Sequence, residues 1–173
     1  MLTIRPAVPD DLAHIMAIVE RAVDEMNRRG NPQWGPGYPS LAHYAGALAE
    51  GSLYVAEDGA LLGCAVFNTE EEPAYASVSW SLPGPALVIH KMVVDPDAQR
   101  RGVASALFAQ CEALARAQGL SSLRVDTYTK NDRMQSLLRK QGFSHVGEVH
   151  FPMNPLPYPC FEKILTAIPC NGE

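Results

Sequence analysis

The 173-residue sequence predicts a single α/β domain over positions 1–173. Three observations carry that expectation. Short strand-like apolar runs alternate with segments whose apolar residues recur at helical spacing. The run Ala86 to Val94, apolar apart from His90 and Lys91, has the composition of a strand buried on both faces. That run stops at Asp95-Pro96 and passes through Gln99-Arg100-Arg101-Gly102-Val103-Ala104 into an amphipathic helix.

From the N-terminus, Leu2-Thr3-Ile4 is a first strand ended by Pro6. Pro9, Asp10 and Asp11 suit the positive end of a helix, and Leu12, Ile15, Met16, Val19, Val23 and Met26 give it one apolar face, with a stop near Gly30. A Pro/Gly-rich loop holding Trp34 and Tyr38 leads to a second helix at about 41–50. Strands follow at 52–57 and 61–68 around the Asp58-Gly59 hairpin signal. After an acidic, Pro-containing stretch at 69–85, the central strand is set at 87–94. Val103, Leu107, Phe108, Cys111, Leu114 and Ala115 define the next helix, which ends at Gly119. A strand at 123–127, a helix at 131–141 closed by Gly142, and a strand at 143–149 complete the alternation. The four prolines of 151–159 predict a loop, and 160–165 a last strand.

The segment after the central strand carries the chemistry. The first amides of a helix lack internal partners, and the helix dipole adds positive charge there. A glycine at the mouth admits a phosphate without a Cβ in the way. Strand, Arg-Arg-Gly turn and helix N-terminus therefore form an anion site. The spacing matches neither a nucleotide P-loop nor a dinucleotide Gly-x-Gly-x-x-Gly turn.

Composition removes other classes. The net charge is −5 and the basic residues are dispersed, which argues against nucleic acid. No apolar stretch approaches the roughly 20 residues that span a bilayer, and the opening residues do not resemble a signal peptide. Cys64, Cys111, Cys160 and Cys170 show no Cys-x-x-Cys pair and no metal spacing to histidine, so the expectation is no metal and a reducing, cytoplasmic setting.

Gln99-x-x-Gly102-x-Ala104 resembles the pyrophosphate turn, Gln/Arg-x-x-Gly-x-Gly/Ala, of the GNAT superfamily of acyl-CoA-dependent N-acyltransferases. Asn131-x-x-Met134-x-x-Leu137-Leu138-x-Lys140-x-Gly142-Phe143 is similar to the family's Asn-x-x-Ala-x-x-Leu-Tyr-x-Lys-x-Gly-Phe segment. The element order resembles the GNAT fold from Leu2 to Leu165, and Gln33-Trp34 to Tyr38-Pro39 resembles a bacterial branch of the family. The resemblance implies a mixed, mostly antiparallel central sheet, splayed between its fourth and fifth strands, with helices on both faces. It implies acetyl-CoA as co-substrate, with pantetheine along Met92, Val93 and Val94 and pyrophosphate at Gln99, Arg100, Arg101, Gly102, Val103, Ala104 and Ser105. Asn131 would bond pantetheine, cap its own helix, or do both. The implied reaction is direct transfer, in a ternary complex, to a primary amine of a small molecule or peptide. An amide near Met92 would hold the oxyanion. Homodimers are common in the family.

One position departs. Leu138 stands where many members place a tyrosine that protonates the CoA thiolate. Tyr128 is the candidate substitute, or an ordinary loop tyrosine in solvent. With a thiol pKa of about 8.5, CoA can also leave unprotonated. The departure keeps open a non-catalytic acyl-CoA binder or sensor, and a scaffold for protein contacts. His90 shares a face with Met92 and Val94 if the strand alternates regularly. Arylalkylamine N-acetyltransferases carry a histidine at this distance from the glycine turn. It is a candidate general base or a structural histidine, with Glu57, Asp126 and His150 as alternatives. Gln33, Trp34 and Tyr38 are expected to shape the acceptor pocket, though Trp34 could equally pin its loop to the core. The prolines of 152–159 would form the opposite wall.

Overall fold

The computed structural model describes residues 1–167; Cys170 lies outside them. In chain order the elements are β1 (Thr3–Pro6), α1 (Asp11–Arg28), α2 (Leu41–Ala49), β2 (Leu53–Glu57), β3 (Leu61–Asn68), β4 (Leu87–Val94), α3 (Val103–Ala117), β5 (Ser122–Asp126), α4 (Asp132–Lys140), β6 (Ser144–Val149) and β7 (Tyr158–Ile164). Short 3₁₀ turns at Pro73–Ser77 and Pro96–Ala98 punctuate the loops around β4. The last strand starts earlier than its prolines suggest. Pro159 lies inside β7, where its carbonyl still accepts from Thr127 N at 3.2 Å although its ring nitrogen donates nothing.

The helices start where side chains supply what the backbone lacks. Asp11 accepts from Val8 N at 2.8 Å and pairs with Arg5, fixing the entry to α1. A Ser40–His43 capping box opens α2. Asn131 Oδ1 accepts from Met134 N at 3.2 Å to cap α4. The α1 stripe Ile15, Ile18, Val19 and Ala22 packs with α2 on one sheet face, against Val55, Cys64, Val66 and Val93. Leu107, Phe108, Cys111 and Ala115 of α3 cover the other face together with Leu138 of α4. Each fully buried Leu or Phe of this kind contributes about 1.5–3 kcal/mol. A third cluster, including Tyr75, Val88, Tyr128, Val149 and Tyr158, closes the far end of the sheet.

The seven strands run in the order β1-β2-β3-β4-β5-β7-β6, antiparallel except for the β4–β5 pair. That pair is short. It holds only at Leu87↔Leu123 and Val88↔Arg124, after which the strands diverge. Burial on both faces therefore holds for Leu87, Val88 and Ile89, while His90, Lys91 and Met92 are half-buried.

A second irregularity corrects the expected alternation. Cys64 pairs with Val93 but Val66 with His90, so one extra residue is inserted in β4, and Lys91 takes φ +49° there. The bulge shifts the phase of the strand. Ile89, Met92 and Val94 pack on the α3 face, and Val93 on the α1 face. His90 therefore does not share a face with Met92 and Val94, because the inserted residue flips every side chain beyond it.

Candidate active site

Between the diverging strands lies a cavity of about 1180 Å³, walled by β4 from Ile89 to Val94 on one side and by Val125, Asp126 and Thr127 on the other. Small-molecule sites usually occupy roughly 300–1,000 Å³, so this one is large for a single ligand site. On the cavity side β4 has no strand partner after Val88. Unpaired strand groups facing a cavity invite a ligand that completes the ladder.

One end of the cavity is the turn into α3. Gly102 takes φ +80°, Arg100 takes φ +65°, and the first bond of the helix runs from Ala106 N to Gly102 O at 2.9 Å. The amides of Gly102, Val103, Ala104 and Ser105 have no partner among the described residues. A Cβ built on Gly102 meets no atom within 4 Å, so the space above the turn is open. Gln99 is held from both sides, donating to Glu25 Oε2 at 2.8 Å and accepting from Arg133 at 2.8 Å. Arg29 pairs with Glu25 at 2.8 Å. These contacts gather Arg29 and Arg133 at the rim, where Arg100 and Lys140 of α4 also line the cavity. Free amides, a helix N-terminus and several cations together suit a polyphosphate.

The sequence model of the acetyltransferase (GNAT) family matches residues 19–143. The chain belongs to this family. A GNAT-family acetyltransferase from Streptococcus agalactiae is 26% identical over 96% of each chain, with a TM-score of 0.84. A Staphylococcus aureus protein assigned as an acetyltransferase is 27% identical over 95% of this chain and 99% of its own, with a TM-score of 0.74. The ribosomal-protein-S18-alanine N-acetyltransferase of Escherichia coli shares the fold at 16% identity, covering 100% of this chain and 99% of its own, with a TM-score of 0.68. The sequence has no significant match among curated proteins. The splayed β4–β5 pair and the helices on both faces agree with the GNAT fold anticipated from the sequence.

Within the GNAT framework, Met92, Val93, Val94, Gln99, Arg100, Gly102, Val103, Ala104, Ser105 and Asn131 all line the cavity. Arg101 does not. It turns to the β2–β3 hairpin, 3.5 Å from Asp58, which also takes the N-terminal ammonium at 2.5 Å. Asn131 does two things at once: it caps α4 and donates to Gln33 Oε1 at 2.8 Å. Gln33 also accepts from Thr127 Oγ1 at 3.2 Å. Trp34 is buried in the α1–α2 core and still presents an edge to the cavity, as does Tyr38. The opposite wall is Phe151, Pro152 and Met153, tied across by Asn154, which donates to Tyr158 Oη at 2.6 Å.

Of the candidate proton-transfer groups, His90 and Asp126 both line the cavity, and they differ in their partners. His90 Nε2 lies 2.9 Å from Asn68 Oδ1 and 3.0 Å from the Glu70 carbonyl, so it donates to the segment after β3. Burial, with Lys91 beside it, pushes His90 down to about 4. Asp126, at the end of β5, lines the cavity and accepts from Tyr75 Oη at 2.6 Å. Burial pushes its carboxyl up to about 6, against the lowering effect of the Tyr75 bond. Glu57 is paired with Arg5 at 2.8 Å, and neither it nor His150 lines the cavity. Tyr128 is buried against Tyr158, with ring centroids 5.0 Å apart, and does not line the cavity either; it is not a loop tyrosine in solvent. Leu138 is fully buried under α4, while Leu137 faces the cavity.

Cys64, Cys111 and Cys160 are buried free thiols away from the cavity wall, and burial pushes Cys64 and Cys160 up to about 12. No group of three metal-ligating side chains occurs among the described residues, and no helix there is long and apolar enough to cross a membrane. Glu72, Arg29, Arg133 and Tyr158 line the cavity without having been singled out from the sequence. Their only sequence signal is charge or aromaticity in loops and at helix ends, where such residues are ordinary.

Proposed function

We propose that the protein transfers an acetyl group from acetyl-CoA to a primary amine, directly, within a ternary complex. The observation that carries this reading is the open β4 edge leading to the unpartnered amides of residues 102–105. Those amides, with Arg100, Arg29 and Arg133 around them, would hold the pyrophosphate. The backbone of Met92 to Val94 would pair with pantetheine, and Asn131 flanks the same channel. Bound acetyl-CoA supplies an acyl thioester, open to attack by an amine nitrogen. The bulge at Lys91–Met92 interrupts the β3 ladder, and an amide near Met92 would be the donor to the developing oxyanion.

Asp126 takes the proton that the attacking amine releases. It lies on the cavity wall at the end of β5, and a carboxylate near 6 is better matched to neutral pH than a histidine near 4. His90 holds the 68–70 segment in place. The sulfur departs as thiolate, since Leu138 has no proton to give and Tyr128 is out of reach. Buried, high-pKa cysteines favour direct transfer over a covalent acyl-enzyme. Three free thiols among the described residues support a reducing, cytoplasmic setting.

The test is free-thiol release from acetyl-CoA across pooled amines, with calorimetry of CoA binding beside it. Amine-dependent release is expected. Tight CoA binding without release on any amine would favour the non-catalytic binder. Gly102→Glu, which puts a side chain and a negative charge at the turn, should abolish CoA binding. Unchanged affinity in that variant would remove the pyrophosphate assignment.

A further inference from the structure

We infer that Glu72 and Asp126 form an acidic acceptor subsite that selects amines carrying no carboxylate beside the nitrogen. The inference rests on the acetyl-transfer reading and says which acceptors that site takes.

The cavity lining is largely apolar, with charged groups set into it. Its α3 end is rimmed by arginines, while Glu72 and Asp126 line it at the end formed by Tyr38, Phe151 and Tyr158. Glu72, Asp126 and Tyr38 line the same cavity, and the charge of Glu72 disfavours ionisation of Asp126. Around Asp126 stand Tyr75 from the 3₁₀ turn, Tyr158 and Cys160 from β7, and Lys91 from the β4 bulge. Lys91 is the one cation among these neighbours of Asp126, and Lys130 is a second lysine in the cavity lining.

Glu72 is held in place. His90 holds Asn68 and the Glu70 carbonyl, four and two residues before Glu72. Glu71 turns the other way, into an ion pair with Arg124, a residue only 4% exposed. Arg124 also donates to the Leu82 carbonyl at 2.7 Å and lies over the Trp80 ring, 4.5 Å from its centroid. Glu162 accepts from Ser81 N at 2.8 Å, fixing the far end of the same loop. Tyr75 N bonds the Glu72 carbonyl at 2.8 Å. Glu71 is consumed by Arg124, whereas the Glu72 carboxylate has no ion-pair or hydrogen-bond partner among the described residues. It is free to meet a ligand.

An ammonium group entering this end finds two carboxylates and the faces of aromatic rings, both of which favour a cation. An α-amino acid would bring its own carboxylate against Glu72 and Asp126, a like-charge contact in a partly desolvated site. The aromatic walls suit an aryl or alkyl body on the amine.

The test compares phenethylamine, phenylalanine amide and phenylalanine, which differ in the group beside the amine. Each is measured by CoA release and by calorimetric binding to the protein loaded with CoA. Phenethylamine and the amide should exceed phenylalanine by about tenfold or more in kcat/KM, the scale of one charge-assisted contact. Glu72→Gln should raise KM for phenethylamine by about tenfold while keeping kcat and CoA affinity, and should narrow the preference. Glu72→Asp should recover part of the loss. Charge-selective binding without CoA release would sustain the subsite and refute the transfer. Phenylalanine binding as well as phenethylamine, no binding of any of the three, or an unaltered KM in Glu72→Gln, would overturn the subsite.

Discussion

At the scale of single residues, the decisive comparison is between His90 and Asp126. The acidic limb of the kcat/KM profile should fall with an apparent pKa near 6, where Asp126 titrates. Asp126→Asn should lower turnover by about 10²-fold or more and remove that limb, while His90→Gln should keep the limb. Retention of the limb in Asp126→Asn would return the role of base to another group. The two residues also act oppositely on stability. His90 is held below its ordinary 6.5, so its contribution is present above that value and lost as pH falls toward about 4. Asp126 is held above the ordinary carboxylate range, so its ionisation costs stability as pH rises through about 6. Acid titration of unfolding in His90→Gln should show the first contribution gone. Tyr128→Phe should leave turnover within about twofold, since its ring is sealed against Tyr158 rather than the cavity. A 10²-fold loss with an intact fold would make its hydroxyl the missing acid.

At the scale of elements, the site depends on how closely α3 and β4 approach β3. Gly63 makes that approach feasible. A Cβ there would stand 2.6 Å from the Val93 carbonyl and 3.2 Å from a Val103 methyl. Gly63→Ala should push the start of α3 and the bulged half of β4 outward. The expected cost is about 1–3 kcal/mol, in line with overpacking elsewhere, together with weaker CoA binding. Chemical denaturation and calorimetry on the same variant check both. Wild-type stability would mean that the strand yields at no cost. Nothing in Leu61-Leu62-Gly63-Cys64 announces this role, because the atoms that crowd Gly63 come from residues 30 and more positions later.

At the scale of the whole molecule, a net charge of −5 coexists with a cationic rim at one mouth of the cavity. CoA affinity should therefore fall as ionic strength rises, because phosphate contacts at an exposed rim are screened over about 10 Å at 0.1 M salt. Arg100→Ala should lower affinity and flatten that dependence. Arg101→Ala should do neither, since Arg101 faces Asp58. Salt-independent affinity would count against phosphate contact by these side chains.

The sequence by itself determined the order of elements, nearly all their bounds, and the turn at Gln99–Ala104. These are local: strand runs, helical spacing, caps and a glycine at φ +80° are written in neighbouring residues. Cavity-lining positions in the two motifs were legible for the same reason, because each motif spans one turn or one helix. Only the tertiary structure decided which charged and aromatic groups share the acceptor end. The bulge at Lys91 reversed the side of β4 on which His90 lies, and no residue type in the strand encodes that shift. Glu72 and Asp126 come to line one cavity, and Arg133 reaches Glu25, only because loops and helices distant in sequence pack against the same splay. Arg101 was lost from the site by the same logic: adjacent residues in a tight turn point apart, and the hairpin carboxylate that captures it is remote in sequence.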